Sequence, residues 1–419
     1  MRILAASEVK QGMGCRRAGH WFGVLLGLLV ACLALGYAAA EPAARVIRDA
    51  RIVGDSGRTR LVVDLSDPVE VNVFTLADPY RVVVDLPDVQ FSLPTGTGAK
   101  GRGLIAAFRF GSIAKGKSRL VADLTGPVRV ERFFVAAATA NDPARLVVDL
   151  VPTGRPEFLA AIRDTRAPEA PAPGVAAPSP RTGRPTVVLD AGHGGIDGGA
   201  RGTKQAVEKD IVLAFTRVLA DRLARTGRYD VYETRADDTF LSLQARVDFA
   251  RSHRADLLLS VHANTATGNG ANLVRGAAIY TLSEQPSDKA AAAMAEAENR
   301  SDVLAGVDLA AEDGNEVRDI LLDLTRRETK NFAIQFAQFF VKAFGERARL
   351  SKVPHQQANF RVLSAAEIPS ALIELGYISN PEDEKALLSA EWRERTADAV
   401  VIAIDAFFAP RLAKAAAPR

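Results

Sequence analysis

Cysteine is nearly missing from this chain, and both of its cysteines, Cys15 and Cys32, fall within the first forty residues. Downstream of them a disulfide-stapled scaffold and a thiolate metal site are excluded, so any metal there must be held by histidine and carboxylate. Histidine is scarce as well: His20, His193, His253, His262 and His355 are the whole supply. Excess charge is also absent. The formal +3 is carried by residues 1–40, where Arg2, Lys10, Arg16 and Arg17 face one acid, Glu8. From Glu41 onward the chain is neutral, which leaves no electrostatic footprint for nucleic acid.

What is present begins with a leader. Arg16 and Arg17 precede the apolar run "WFGVLLGLLVACLALGYAAA", and Ala38 and Ala40 stand where an A-x-A cleavage site needs small residues. Residues 1–40 therefore read as an export signal, cleaved before Glu41. A retained anchor is the alternative, since the run could span a bilayer. Its alanine ending, without Lys or Arg, favours cleavage and so no stable membrane span in the mature protein. "LVAC" leaves lipidation at Cys32 open, and the arginine pair leaves twin-arginine export open beside the general route.

At 419 residues, 48% apolar and 25% charged, the rest is long enough for two globular domains. Residues 44–152 read as a small all-β domain, with short runs such as "RLVVDL", "RVVVDL" and "RLVADL" between turn residues. The domain repeats itself: "TRLVVDLSDPVEVNVF" returns as "SRLVADLTGPVRVERF", Leu61 matching Leu120 at an offset of 59 residues. Two copies packed against each other would bury faces that neither could bury alone. Without histidine or a catalytic carboxylate pair, this half reads as a binding or scaffold module. Residues 153–185 form a Pro/Ala-rich linker, with a short helix at "PEFLAAIRD". From 186 to 410 apolar strands alternate with helices, which predicts an α/β domain around a mainly parallel sheet.

Three of its strands end in a functional side chain: "VVLDAG" at His193, "LLLSV" at His262 and "ALI" at Glu374. Ligands gather outside the carboxyl ends of parallel strands, so these groups are expected to meet in one crevice. Glu208, at the start of the following helix, is a fourth candidate. Two histidines and a carboxylate with one position open form a common catalytic zinc set. A hydrogen-bonded histidine and a helix-start glutamate also occur for purely structural reasons. Glu374, inside the apolar "SALIEL", could serve as the proton shuttle such a site needs. The glycines of "GHGGIDGG" lack the register and the Lys of a phosphate loop, and instead let the backbone turn so that His193 and Glu208 face one ion.

The blocks "LDAGHGGIDGGARG…EKD", "ETRADDTFLSLQARVDFAR", "ADLLLSVHANT" and "IPSALIELGYISNPEDE", in this order, resemble the zinc-dependent N-acetylmuramoyl-L-alanine amidases of bacterial cell-wall turnover. The resemblance covers residues 186 to about 408. It implies one Zn2+ held by His193, Glu208 and His262, with Glu374 catalytic. The amide between N-acetylmuramic acid and L-alanine would be the bond cut. Residues 44–152 resemble the AMIN domain, which implies peptidoglycan binding and placement at the division septum of a Gram-negative periplasm. Arg235 and Arg246 are expected in buried ion pairs, and His355 is not expected to be a ligand. A zinc peptidase cutting within the stem peptide, or a non-catalytic wall-binding protein, are the competing readings.

Residues 283–330 are Ala-rich, acidic and helix-prone. They read either as an ordinary solvated excursion or, by resemblance to division-type amidases, as a lid that covers the site. In the second case Glu298, or next Glu296, would block the zinc. Release would then need a partner, by the same resemblance a division-associated activator with a degenerate metallopeptidase domain.

Overall fold

The computed structural model describes residues 45–419 apart from 115, 140–141, 166–182, 204–205, 267–270, 308–319 and 417–419. The expected leader and most of the expected linker lie outside the described residues. Among the described residues no helix is long and apolar enough to cross a membrane.

The first half is a sandwich of nine strands: β1 (Val46–Gly54), β2 (Thr59–Leu65), β3 (Asn72–Leu76), β4 (Arg81–Pro87), β5 (Gln90–Phe91), β6 (Ile105–Ala114), β7 (Lys117–Leu124), β8 (Val128–Ala136) and β9 (Ala144–Pro152). One sheet runs β5-β1-β2-β9-β8 and the other β3-β4-β7-β6. The two repeats do not form one sheet each, as simple stacking would have it. The opening strands of one repeat pair with the closing strands of the other, β2 with β9 and β4 with β7. This exchange gives each repeat's exposed strand edge an antiparallel partner. Leu61 and Val63, Val82 and Val84, Leu120 and Ala122, and Leu146 and Val148 point inward and form one core. Period-two alternation then turns Arg and Asp of each "R-x-V-x-D" run outward. The helix α1 (Arg155–Thr165) buries Phe158 in the same core, so the start of the expected linker belongs to the sandwich.

Across the outer face, Arg60 donates to the buried Asp149 at 2.6 and 2.9 Å, and Arg132 donates to it at 2.8 Å. Arg60 is the main cause, with Arg132 adding to it against burial, that lowers Asp149 to about 2. A carboxylate more acidic in the folded state stabilises it above its unfolded pKa, and that stability is lost as pH falls through the folded one. The melting temperature should therefore decline between pH 4 and pH 2. An Asp149→Asn variant should melt lower at neutral pH and show a flatter acid limb; an unchanged limb would remove Asp149 from the account.

The second half contains β10 (Thr186–Ala191), α2 (Glu208–Thr226), β11 (Asp230–Glu233), α3 (Leu243–Ser252), β12 (Leu257–Asn264), β13 (Ala277–Leu282), α4 (Lys289–Asn299), α5 (Ser301–Leu304), α6 (Ile320–Gly345), β14 (Leu350–Ala358), β15 (Ser370–Tyr377), α7 (Pro381–Leu387) and α8 (Ala390–Ala416). Its sheet runs β11-β10-β12-β15-β13-β14. The first four strands are parallel, and β13 turns antiparallel to β15 with β14 following it, so the sheet is mixed at one edge. Phe215 and Leu219 of α2, Phe336 and Phe340 of α6, and Val400 and Ala403 of α8 cover one face. Val247 and Ala250 of α3 pack on Val188 and Leu258 across the other. Strands buried on both faces read as continuous apolar runs, as "TVVLDA" and "LLLSVHAN" do.

Candidate active site

The carboxyl ends of β10, β12 and β15 lie side by side, and the register sets His262 beside Glu374. Just past β10 the chain passes so close to the His262 ring that a Cβ on Gly192 would sit 2.4 Å from it. His193 follows with φ 57°, a left-handed conformation rare for a residue with a side chain and typical of functional positions. Gly199, at φ +64°, lies where a Cβ would strike Glu208 Oε2 at 2.6 Å. These two glycines give the loop its close approach.

His193, Glu208 and His262 are buried, and each offers one donor atom within 4.8 Å of the others. His193 Nε2 is 3.1 Å from Glu208 Oε1, and His262 Nδ1 is 3.2 Å from the same oxygen. Backbone N–H groups fix that carboxylate: Ala263 donates to Oε1 at 2.9 Å and Ala200 to Oε2 at 2.8 Å. His193 Nδ1 lies 2.8 Å from Asp197 Oδ2, a contact that orients the ring so that Nε2 faces Glu208 Oε1. Burial opposes protonation of both rings, yet the surrounding carboxylates overrule it, raising His193 well above its usual value and His262 to about 10. The cluster thus has an unmet demand for positive charge, and its N, N, O donor set suits a zinc-sized cation.

Glu374 is fully buried, and among the described residues neither carboxylate oxygen has a hydrogen-bond partner. Burial, strengthened by the neighbouring Glu208 and Glu298, pushes its carboxyl well above the ordinary range. A carboxyl raised in this way is suited to accept and return a proton.

Glu298 also reaches the cluster, its Oε2 3.1 Å from His262 Nδ1 and 3.4 Å from His193 Nε2. Glu296 does not: it is exposed and paired with Arg300. The helix α4 that carries Glu298 starts at the N-cap Asp288, which accepts from Ala291 N at 2.8 Å. Its small residues Ala291 and Ala295 let it pack tightly on Tyr280, Phe360 and Val362. Beyond it, Ser301 donates to Asp197 Oδ2 at 2.5 Å, and Asp302 accepts from Leu243 N at 2.8 Å. So the segment is fastened to the carboxylate that orients His193.

Arg246 is ion-paired with Asp190 at 2.7 Å and also donates to the carbonyls of Ala191, His193 and Leu241. Arg235 has no ion pair among the described residues; it donates to the carbonyls of Ala191, Gly192, Lys209 and Asp237. Together the two guanidiniums hold the loop that presents His193. His355 lies on β14, 3.0 Å from Thr281 Oγ1 and outside the cluster. Asp190, Asp197 and Ser301 were missed in the sequence, although the four-residue spacing of "HGGID" was a usable signal for Asp197.

The profile of the family Amidase_3, N-acetylmuramoyl-L-alanine amidase, matches residues 187–406, and that of the AMIN domain matches residues 49–150. The chain is 33% identical over 379 residues to the N-acetylmuramoyl-L-alanine amidase AmiC of Escherichia coli O6:H1, covering 86% of this chain and 88% of that one. It is 31% identical over 376 residues to AmiC of Neisseria meningitidis serogroup B, covering 85% and 89%. With AmiA of Escherichia coli K12 it shares 35% identity over 227 residues, 54% of this chain and 77% of the other.

Proposed function

The chain belongs to the Amidase_3 family of N-acetylmuramoyl-L-alanine amidases and carries an AMIN domain before it, and from that premise we propose a zinc-dependent, self-inhibited enzyme that strips stem peptides from peptidoglycan. The bond cut is the amide between the lactyl group of N-acetylmuramic acid and L-alanine. His193, Glu208 and His262 hold the zinc. When bound, the metal supplies Lewis acidity toward the scissile carbonyl and makes water a stronger acid. Glu374 takes the proton from the attacking water and hands it to the departing amine nitrogen of L-alanine. One buried carboxyl performs both transfers because burial brings its pKa toward that of its task.

The observation that carries the self-inhibited reading is Glu298, whose carboxylate lies among the donors of the buried cluster. There it would compete with a substrate carbonyl for an ion held by His193, Glu208 and His262. The α4–α5 segment is thus a lid, and activity requires its displacement. A protein activator at the division septum, acting on an exported enzyme, fits that requirement.

The test is mass spectrometry of muropeptides incubated with the zinc-loaded full chain, native and Glu298→Ala. Intact stem peptide with a free N-terminal alanine is expected, formed about tenfold to a hundredfold faster by the variant. Fragments cut within the stem would make the enzyme a peptidase. Equal rates would remove Glu298 as the block, and uncut muropeptide from both would favour a wall-binding protein.

A further inference from the structure

The lid does not end free. Residues 303–306 run onto the outer face of the sheet β3-β4-β7-β6 of the AMIN domain. Arg81 donates to Val303 O at 2.6 Å, and Arg119 donates to Gly306 O at 3.0 Å and Ala305 O at 3.3 Å. Arg109 donates to Leu304 O. Two of these guanidiniums are pre-set by carboxylates of the same face, Arg119 by Asp85 at 2.5 Å and Arg109 by Asp123 at 2.5 Å. Carbonyls at the C-terminal end of a helix lack intrahelical donors, and guanidinium groups satisfy them.

Apolar contact completes the seat. Leu76, Val83 and Val121 of the sheet form one cluster with Ala305 of the lid and with Ile196 and Phe240 of the catalytic domain. Gly306 sits at φ +72°, where a side chain is strained, and a Cβ there would crowd Val121 at 3.0 Å and Val83 at 3.2 Å. The same sheet touches the metal loop itself, where Ile196 N donates to Ser112 O at 3.1 Å, three residues past His193.

We propose that this face of the AMIN domain is a latch that holds the lid shut, so that the domain restrains the enzyme as well as binding its wall. The inference rests on the reading of Glu298 as the block. Latch contacts exist only while the lid is closed, so each adds to the closed state and none to the open one. Weakening the face must shift the balance toward the open enzyme without altering any group of the metal site.

The test uses the zinc-loaded full chain. Arg81→Gln with Arg119→Gln weakens the latch from the sheet, and Gly306→Leu weakens it from the lid, which decides the matter if the first variant misfolds. Release of dye from labelled sacculi should rise about tenfold or more over the native basal rate in both. Amide exchange across 289–304 should quicken while β10, β12 and β15 stay protected. Rates within twofold of native, when Glu298→Ala does accelerate release, would overturn the latch and leave the block standing. If Glu298→Ala also leaves the rate unchanged, the block falls and the latch with it.

Discussion

Glu374→Gln should lower turnover by about a thousandfold or more, within the span ascribed to a positioned general acid and base. The replacement keeps shape and volume and removes only the ability to exchange a proton. Among the described residues neither oxygen of Glu374 has a hydrogen-bond partner, so the amide forfeits no contact there and never carries the buried charge the acid can acquire. The variant should accordingly melt no lower than the native chain. Metal content by elemental analysis should match that of the native chain, because His193, Glu208 and His262 are untouched. A structural role would give the opposite pattern, a lower melting temperature with activity largely kept. Retention of more than a tenth of native turnover would sink the assignment.

That His193, His262 and Glu374 lie near one another was legible because each stands where an apolar strand ends. "VVLDAGH", "LLLSVH" and "ALIE" each announce a buried strand and its terminal side chain, and adjacent parallel strands bring such ends together. Glu208 was readable as the opening of a helix. Other features carry no such mark. The reversal of β13 was hidden, since alternation reports burial and not strand direction. The exchange of strands between the two repeats was hidden for the same reason: four similar "R-x-V-x-D" runs pair equally well within a repeat or across it. The long helix α6 begins at Ile320, inside the stretch 283–330 that reads as a separate helix-prone excursion. Least legible were the grips of Arg81, Arg109 and Arg119. Their partners are backbone carbonyls, which every residue has, so no complementary side chain in the sequence points to them.

Arg246→Ala should cost about 3–5 kcal/mol of stability, the range for removing one partner of a buried ion pair. Asp190 is wholly buried; Thr234 and Ser260 donate to it at 2.6 Å each, and Arg246 is the cation ion-paired with it among the described residues. Burial works against its ionised form, and the guanidinium is what keeps its pKa low. For a domain of this size the loss amounts to a fall of roughly 10 °C in melting temperature. Arg246 also holds His193 O at 2.7 Å, pinning a residue whose left-handed backbone is strained. The two roles separate in a double variant. Asp190→Asn with Arg246→Met removes both charges and should recover most of the stability, yet it leaves the His193 carbonyl unheld. Zinc affinity should then remain about tenfold to a hundredfold weaker than native, the usual cost of losing support behind a ligand. Recovery of affinity together with stability would mean that Arg246 serves only to balance Asp190. Recovery of stability alone would show that one guanidinium both neutralises the core and sets the angle of the first ligand.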